Sequence, residues 1–273
     1  MLSLLINKFK KVLIILIAGC ILLSSFTSTT YANESEECIK LSFGTPSDDQ
    51  YIKYKIYDDI LPVTQIRDCE VIIRAGEYQG KAGKRVYLEG RDLNIPEDVP
   101  LRNDYDGKGL YVSEWDINMK ETKALVRELR NRGVNVQLQT SYNKSTDLNA
   151  AGRIANKSNP YLYISLHHNY YAQDSKGYFA MYNPHDELGK HVAKRLSNSI
   201  QNNGMVPQRD NQYNTGYIGE LNEINPSTTP VLLELGFFSN PTELEIICSD
   251  QYVNYVSNKL ADEIINILNT EYR

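Results

Sequence analysis

The sequence predicts an α/β fold: a twisted, mainly parallel sheet of about six strands with helices on both faces. Two observations carry this. From Cys69 onward, short apolar strand-like runs alternate with longer segments whose apolar residues return every three or four positions, the pattern of strands joined by covering helices. The helical segments are also punctuated by capping residues and glycines at the spacings that start and stop helices. About 240 residues follow the N-terminal apolar segment, enough for one large α/β domain or for a domain plus an extension. No internal repeat or low-complexity linker divides them.

The first strand is "CEVIIRA", and "VIIRAGEYQG" (71–80) carries it into a glycine turn. A long polar connection, 78–113, leads to the helix "SEWDINMKETKALVRELRNRG". Ser113 and Asp116 stand at capping-box spacing, Ile117, Leu125, Val126 and Leu129 form the apolar stripe, and Gly133 ends the helix. "VNVQLQT" is a strand and "TDLNAAGRIANKSN" a helix capped by Thr146. "YLYISL" is a strand and "DELGKHVAKRLSNSIQNNG" a helix. "TPVLLELGF" is the last strand. "DQYVNYVSNKLADEIINILN" closes the chain as a helix with Val253, Val256, Leu260, Ile264 and Leu268 on one face. Ahead of all this, residues 33–68 read as an extension of one or two short strands with turns.

The N-terminus reads as an export signal, residues 1–32. Lys8, Lys10 and Lys11 precede an uncharged apolar run from Val12 to Phe26, and Thr30 and Ala32 flank a cleavage position after Ala32. A membrane anchor is the alternative, but the run is shorter than the roughly 18–20 apolar residues a span needs. "IAGC", ending at Cys20, resembles a lipoprotein box, yet the apolar run continues past it, so secretion ranks above lipidation. Cleavage removes three of the 29 Lys and Arg and none of the 34 Asp and Glu, leaving a net charge of about −8. With no strongly basic run, nucleic acid is not an expected partner, and a neutral or sugar-containing substrate fits better. Of the four cysteines, Cys38, Cys69 and Cys248 remain. Export permits a disulfide, with Cys38 and Cys69 as the expected pair, tying the extension to the first strand.

In parallel sheets, functional residues gather at the carboxyl edge of the strands. Three strand ends here carry ionisable groups: Glu77, the pair His167 and His168, and Glu234 inside the apolar "VLLELGFF". Glu114, in the first turn of the helix after the long connection, is a fourth candidate. Each has a plainer explanation. Glu234 is a costly acid to bury without a partner, though structural ion pairs exist. Glu114 sits where the helix dipole favours any acid. His167 and His168 are neighbours on a strand and point to opposite faces, so only one can face a site. His185 and His191 lie on or near a polar helix and read as solvated.

"SEWDIN", "GRIANKSNPYLYISLHHN" and "TPVLLELGFFSNPTE" together resemble the zinc-dependent N-acetylmuramoyl-L-alanine amidases, the Amidase_3 family of cell-wall hydrolases, over roughly residues 70–270. The Ser-x-His-x-Asn box (Ser165, His167, Asn169) and the box from Val231 to Asn240 carry the resemblance most specifically. Glu114 and Asn118 add a weaker Glu-x-x-x-Asn pattern. The resemblance implies Zn2+ held by position 77, Glu114 and His167, with Glu234 as the catalytic base and peptidoglycan as substrate. In such chemistry the metal polarises an amide carbonyl and acidifies water, and a carboxylate moves the proton. Arg153 and Asn156 have family counterparts and read as structural. Asn169 reads as a group that orients a ligand. An activator protein is a further implied partner, and the chain carries no wall-binding module. The first family box departs from its pattern, Asp-x-Gly-His-Gly-Gly, and reads Arg74-Ala75-Gly76-Glu77-Tyr78-Gln79-Gly80 here. Glu77 is expected to be a variant ligand, although Arg74 could instead take it into an ion pair. The alternative to an active amidase is a relative that binds peptidoglycan or a partner without cleaving it.

Overall fold

The computed structural model describes residues 39–42, 67–78, 84–104, 107–141, 148–201, 204–209 and 218–273. The segment 1–32, Cys38 and Thr146 lie outside them. The central sheet has six strands: β1 (Ile39–Ser42), β2 (Val71–Tyr78), β6 (Val136–Ser141), β7 (Leu162–Asn169), β8 (Phe179–Tyr182) and β9 (Thr229–Phe237), in the order β1-β6-β2-β7-β9-β8. The four inner strands are mutually parallel, and β1 and β8 run antiparallel at the two edges. This is the predicted mainly parallel α/β sheet. The β8 edge was not anticipated, because "FAMY" is too short and uniform to show a period.

Register explains which residues meet. Arg74 lies beside Ser165, and Ser165 beside Leu232. His167 lies beside Glu234. Side chains alternate along a strand, so Ile72, Arg74, Gly76, Tyr163, Ser165, His167, Leu232 and Glu234 share one face. Val71, Ile73, Ile164, His168, Val231 and Leu233 share the other. The second face holds the larger core, covered by α1 (Glu114–Asn131), α3 (Glu187–Ser199) and α6 (Asp250–Ile267) with Leu125, Leu129, Leu196, Leu260 and Ile264. The first face has a smaller apolar patch of Ile72, Tyr163 and Leu232, covered by α2 (Leu148–Ala155) and α4 (Gly219–Asn222) through Ala155 and Leu221. The polar row leading to the carboxyl edge lies on this smaller face.

The helix ends follow the sequence signals. Ser113 caps α1, its Oγ accepting from the Asp116 amide, while Gly133 turns the chain at φ 81°. Asp186 caps α3 and Ser249 caps α6. Between α5 (Pro241–Cys248) and α6 the chain breaks at Ser249. The long connection is no open loop. Strands β3 (Arg85–Tyr87), β4 (Arg102–Asn103) and β5 (Leu110–Ser113) make a second, antiparallel sheet in the order β3-β5-β4. Val86 and Val112 are buried in it, and Arg102 clamps Asp116 through two bonds of 2.5 and 2.7 Å.

The expected Cys38–Cys69 pair involves Cys38, which lies outside the described residues; Cys69 itself is buried and free. It belongs to the small apolar cluster with Ile72 and Ala155, and burial pushes its thiol up to about 12, with Asp68 and Glu70 adding to the effect.

Candidate metal centre and active site

Glu77, Glu114 and His167 each offer one ligand atom, and these atoms lie within 4.8 Å of one another. Their elements dictate this. β2, β7 and β9 are parallel, so their carboxyl ends meet at one edge of the sheet. Helix α1 begins at that edge, which brings Glu114 over His167. Nδ1 of His167 is 3.2 Å from Glu114 Oε1. Gly76 makes the approach possible: a Cβ there would collide with the His167 imidazole, 2.2 Å from Nε2. The next residue, Glu77, is held at φ 60°, a left-handed conformation unusual for a side-chain-bearing residue and worth on the order of 1 kcal/mol of strain. Asn118, one turn along α1, donates from Nδ2 to the Gly76 carbonyl at 3.1 Å and so holds this turn.

Asn118 also separates the two histidines. Its Oδ1 lies 2.8 Å from His168 Nδ1. His168 points into the larger core beneath α1, where burial pulls its imidazole down to about 3 and the neighbouring His167 adds to this. It is therefore neutral. His191 is half exposed and lies 3.7 Å from Glu271. His185 lies in an exposed turn at φ 67°.

The charges at the centre are unusual. Burial pushes the Glu234 carboxyl up to about 7; Glu114 and Glu77 add to this, while His167 and Lys84 oppose it. Burial and Glu114 raise Glu77 as well, against the pull of His167, Lys84 and Arg74. Burial alone would lower His167, but Glu114 and Glu220 overcome it and carry the imidazole up to about 10. Lys84 comes from the start of β3 and stands 3.9 Å from Glu114 Oε2. Its own backbone carbonyl accepts from the Glu114 amide.

Two residues of this centre were not singled out from the sequence. Lys84 lies in a connection with no readable period. Glu220 sits on the four-residue helix α4, which has no helical repeat to read. Glu220 is fully buried and paired with Arg74, itself buried. Arg74 also donates to Ser165 Oγ at 3.3 Å. The considered pairing of Arg74 with Glu77 is thus replaced by one with Glu220; β2 loses its regular register between Arg74 and Tyr78, and the left-handed turn at Glu77 carries that side chain to the sheet edge. Glu77 is left for the edge. Arg153 lies 3.7 Å from Glu223. Asn156 donates to the Glu223 carbonyl and accepts from the Asn225 amide, and so ties α2 to the chain after α4. Asn169 Oδ1 accepts from the Tyr170 amide at 2.7 Å.

The donor set suits a divalent ion. Glu114 Oε2 and Glu234 Oε2 are buried without a hydrogen-bond partner, an arrangement that is costly unless something charged satisfies it. Ligand atoms around a tetrahedral zinc at about 2.1 Å stand roughly 3.4 Å apart, close to the 3.2 Å between His167 Nδ1 and Glu114 Oε1. A separate groove of about 610 Å³ lies along α1 and α6, lined by Trp115, Lys120 and Asp250. Its Lys120 is already paired with Asp98 and Asp250, so it lacks such orphaned groups.

Fold and site define an α/β protein with a carboxylate-rich, metal-competent centre at the carboxyl edge of a parallel sheet. The chain belongs to the N-acetylmuramoyl-L-alanine amidase family, Amidase_3, which it matches over residues 104–266. That span takes in Glu114, His167, Glu220 and Glu234 and begins beyond Glu77. Solved amidases share the fold. An N-acetylmuramoyl-L-alanine amidase from Clostridium difficile 630 is 17% identical, covers 75% of this chain and 99% of its own, and has a TM-score of 0.55. AmiC2 of Nostoc punctiforme is 19% identical, with coverages of 75% and 99% and a TM-score of 0.54. The CwlD amidase from Clostridioides difficile, in complex with the GerS lipoprotein, is 19% identical, with coverages of 74% and 100% and a TM-score of 0.56. No curated protein sequence matches the chain.

Proposed function

We propose that the protein is an exported zinc amidase that hydrolyses the amide between the lactyl group of N-acetylmuramic acid and L-alanine in peptidoglycan. The observation that carries this reading is the convergence of Glu77, Glu114 and His167 on one ion-sized space beside Glu234, in a chain of the amidase family. Glu77, Glu114 and His167 would hold the zinc. When bound, zinc supplies Lewis acidity, polarising the scissile carbonyl and making water acidic near neutral pH. Glu234 then acts as the base. Its carboxyl titrates near neutrality in the metal-free centre, which suits a group that takes a proton from attacking water and returns it to the leaving nitrogen. Lys84 stands at the mouth, where its charge offsets part of the extra negative charge that Glu77 brings.

Export is supported by the N-terminal run of apolar residues behind three lysines. No helix among the described residues is long and apolar enough to cross a membrane. An activator protein, expected from the resemblance, has a parallel in the CwlD structure, which contains a lipoprotein.

The test is zinc content together with release of L-alanine-terminated peptides from purified peptidoglycan. The parent should bind one zinc and release such peptides. Glu234→Gln should retain the metal and lose activity by about 10²–10⁴-fold, the usual worth of a general base. His167→Ala should lose both. Zinc loss from Glu234→Gln would make Glu234 a ligand. Zinc binding by the parent without cleavage would leave a peptidoglycan-binding relative in place of an enzyme.

A further inference from the structure

The buried Arg74–Glu220 pair lies directly behind His167. Arg74 is 1% exposed and Glu220 fully buried. An ion pair this deep costs more desolvation than its attraction commonly returns, so its presence calls for a role. Its position supplies one. Glu220 Oε1 is 3.5 Å from His167 Nε2, at ion-pair distance and a few tenths of an ångström beyond an ordinary N–H···O bond. The opposite ring nitrogen, Nδ1, is the one next to Glu114. The imidazole is therefore bracketed: Gly76 and Glu220 on the Nε2 side, Glu114 on the Nδ1 side.

Glu220 is poorly placed to be a metal ligand itself. The Arg74 guanidinium already occupies its carboxylate, and a second cation beside that group would be repelled. Its fit is to a ring N–H. Ser165, two residues before His167 on the same face of β7, accepts from Arg74 at 3.3 Å and fixes the pair to the strand that carries the histidine. Glu220 is in turn seated by α2: a Cβ on Gly152 would collide with the Glu220 carbonyl, so α2 and α4 pack backbone to backbone there.

We propose that Glu220, anchored by Arg74, is a positioning residue for His167. It accepts the Nε2–H of the imidazole and so turns Nδ1 toward the space shared by Glu77 and Glu114. A metal-ligating histidine needs one nitrogen protonated and held so that the other is free and aimed. In this chain the carboxylate that does so comes from a short helix outside the sheet and carries its own buried counter-ion. The inference rests on the zinc reading for its consequence, but the Glu220–His167 contact exists without metal.

The test separates the two. In ¹⁵N-labelled, metal-free protein, His167 Nε2–H should give a downfield, slowly exchanging proton resonance. Because Glu220→Gln alone strands Arg74 without a counter-ion, the decisive variant is R74M/E220Q, which removes both charges and is checked for folding by its melting transition. That variant should lose the resonance and bind zinc about 10–100-fold more weakly, measured by competition with a chromophoric chelator. E220D should recover part of the zinc affinity. In ¹¹³Cd-loaded parent protein, coupling should appear at Nδ1. Persistence of the resonance in a folded R74M/E220Q, unchanged zinc affinity in it, or cadmium coupling at Nε2 would each overturn the proposal. A parent that shows the Glu220-dependent resonance but binds no zinc would support the contact and refute the zinc reading.

Discussion

At the residue scale, position 77 would set the strength of the proposed metal centre. Two carboxylates and one imidazole make a formally neutral zinc site, whereas two imidazoles and one carboxylate would leave it with one positive charge. Glu77→His should therefore raise zinc affinity and increase hydrolysis, and its pH optimum should move lower, since a more positive centre ionises water more readily. Glu77→Ala should lower zinc occupancy at limiting metal, measured by metal content after dialysis against a fixed zinc buffer. If both variants bind zinc as the parent does, Glu77 is no ligand. Lys84 has the opposite sign. It stands 3.9 Å from Glu114 on a half-exposed side chain, so Lys84→Met should tighten zinc severalfold in the same buffer, by removing a competing cation. Loss of affinity in that variant would show that Lys84 is needed to hold Glu114 in place.

At the element scale, helix α1 carries two separate loads. Its first turn presents Glu114 and Asn118 to the sheet edge, and its middle packs on α6. In that packing Glu121 is buried, with Oε1 unpartnered. Burial pushes its carboxyl up to about 8 against the opposing charge of Lys120. The sign follows from proton counting. The folded chain holds this proton above the pH at which an unfolded glutamate releases it, so stability is lost as pH rises from about 4.5 and the loss is complete above about 8. Glu121→Met, of similar length and apolar, should melt close to the parent at pH 5. At pH 8.5 it should be the more stable by a few kcal/mol, on the order of 3–5 at most. Calorimetry at the two pH values checks this; an equal difference at both would mean that Glu121 is already ionised or finds a partner.

At the scale of the whole molecule, the fold is expected not to depend on the proposed metal. The larger core, from Val71 and Ile73 through Leu260 and Ile264, lies on the sheet face away from Gly76 and His167 and is closed by α1, α3 and α6. Chelation should leave the far-ultraviolet circular dichroism unchanged and lower the melting temperature by only a few degrees, the mass-action loss of a bound ligand. Small zinc domains, by contrast, unfold when stripped. Unfolding on chelation would show that the edge formed by Glu77, Glu114 and His167 also bears the sheet.

The sequence by itself determined the sheet, its inner parallel strands and the main helices, because those signals are local: apolar runs, a 3.6-residue stripe on α1 and α6, Ser113 at the cap of α1 and Gly133 at its stop. It also placed Glu77, Glu114, His167 and Glu234 at strand and helix ends, which in a parallel sheet share one edge. Other features were decided only by tertiary structure. The small antiparallel sheet that delivers Lys84 has strands of two to four residues, too short to show a period. Glu220 lies 53 residues beyond His167 on a helix of four residues, and nothing local marks it as the partner of either Arg74 or His167. Arg74 could be read as a partner for Glu77 from proximity in sequence, yet the irregular turn at Glu77 and the placement of Glu220 beside Arg74 send the two side chains to different partners. Which charges pair depends on which elements the sheet brings face to face, and that is a property of the folded chain.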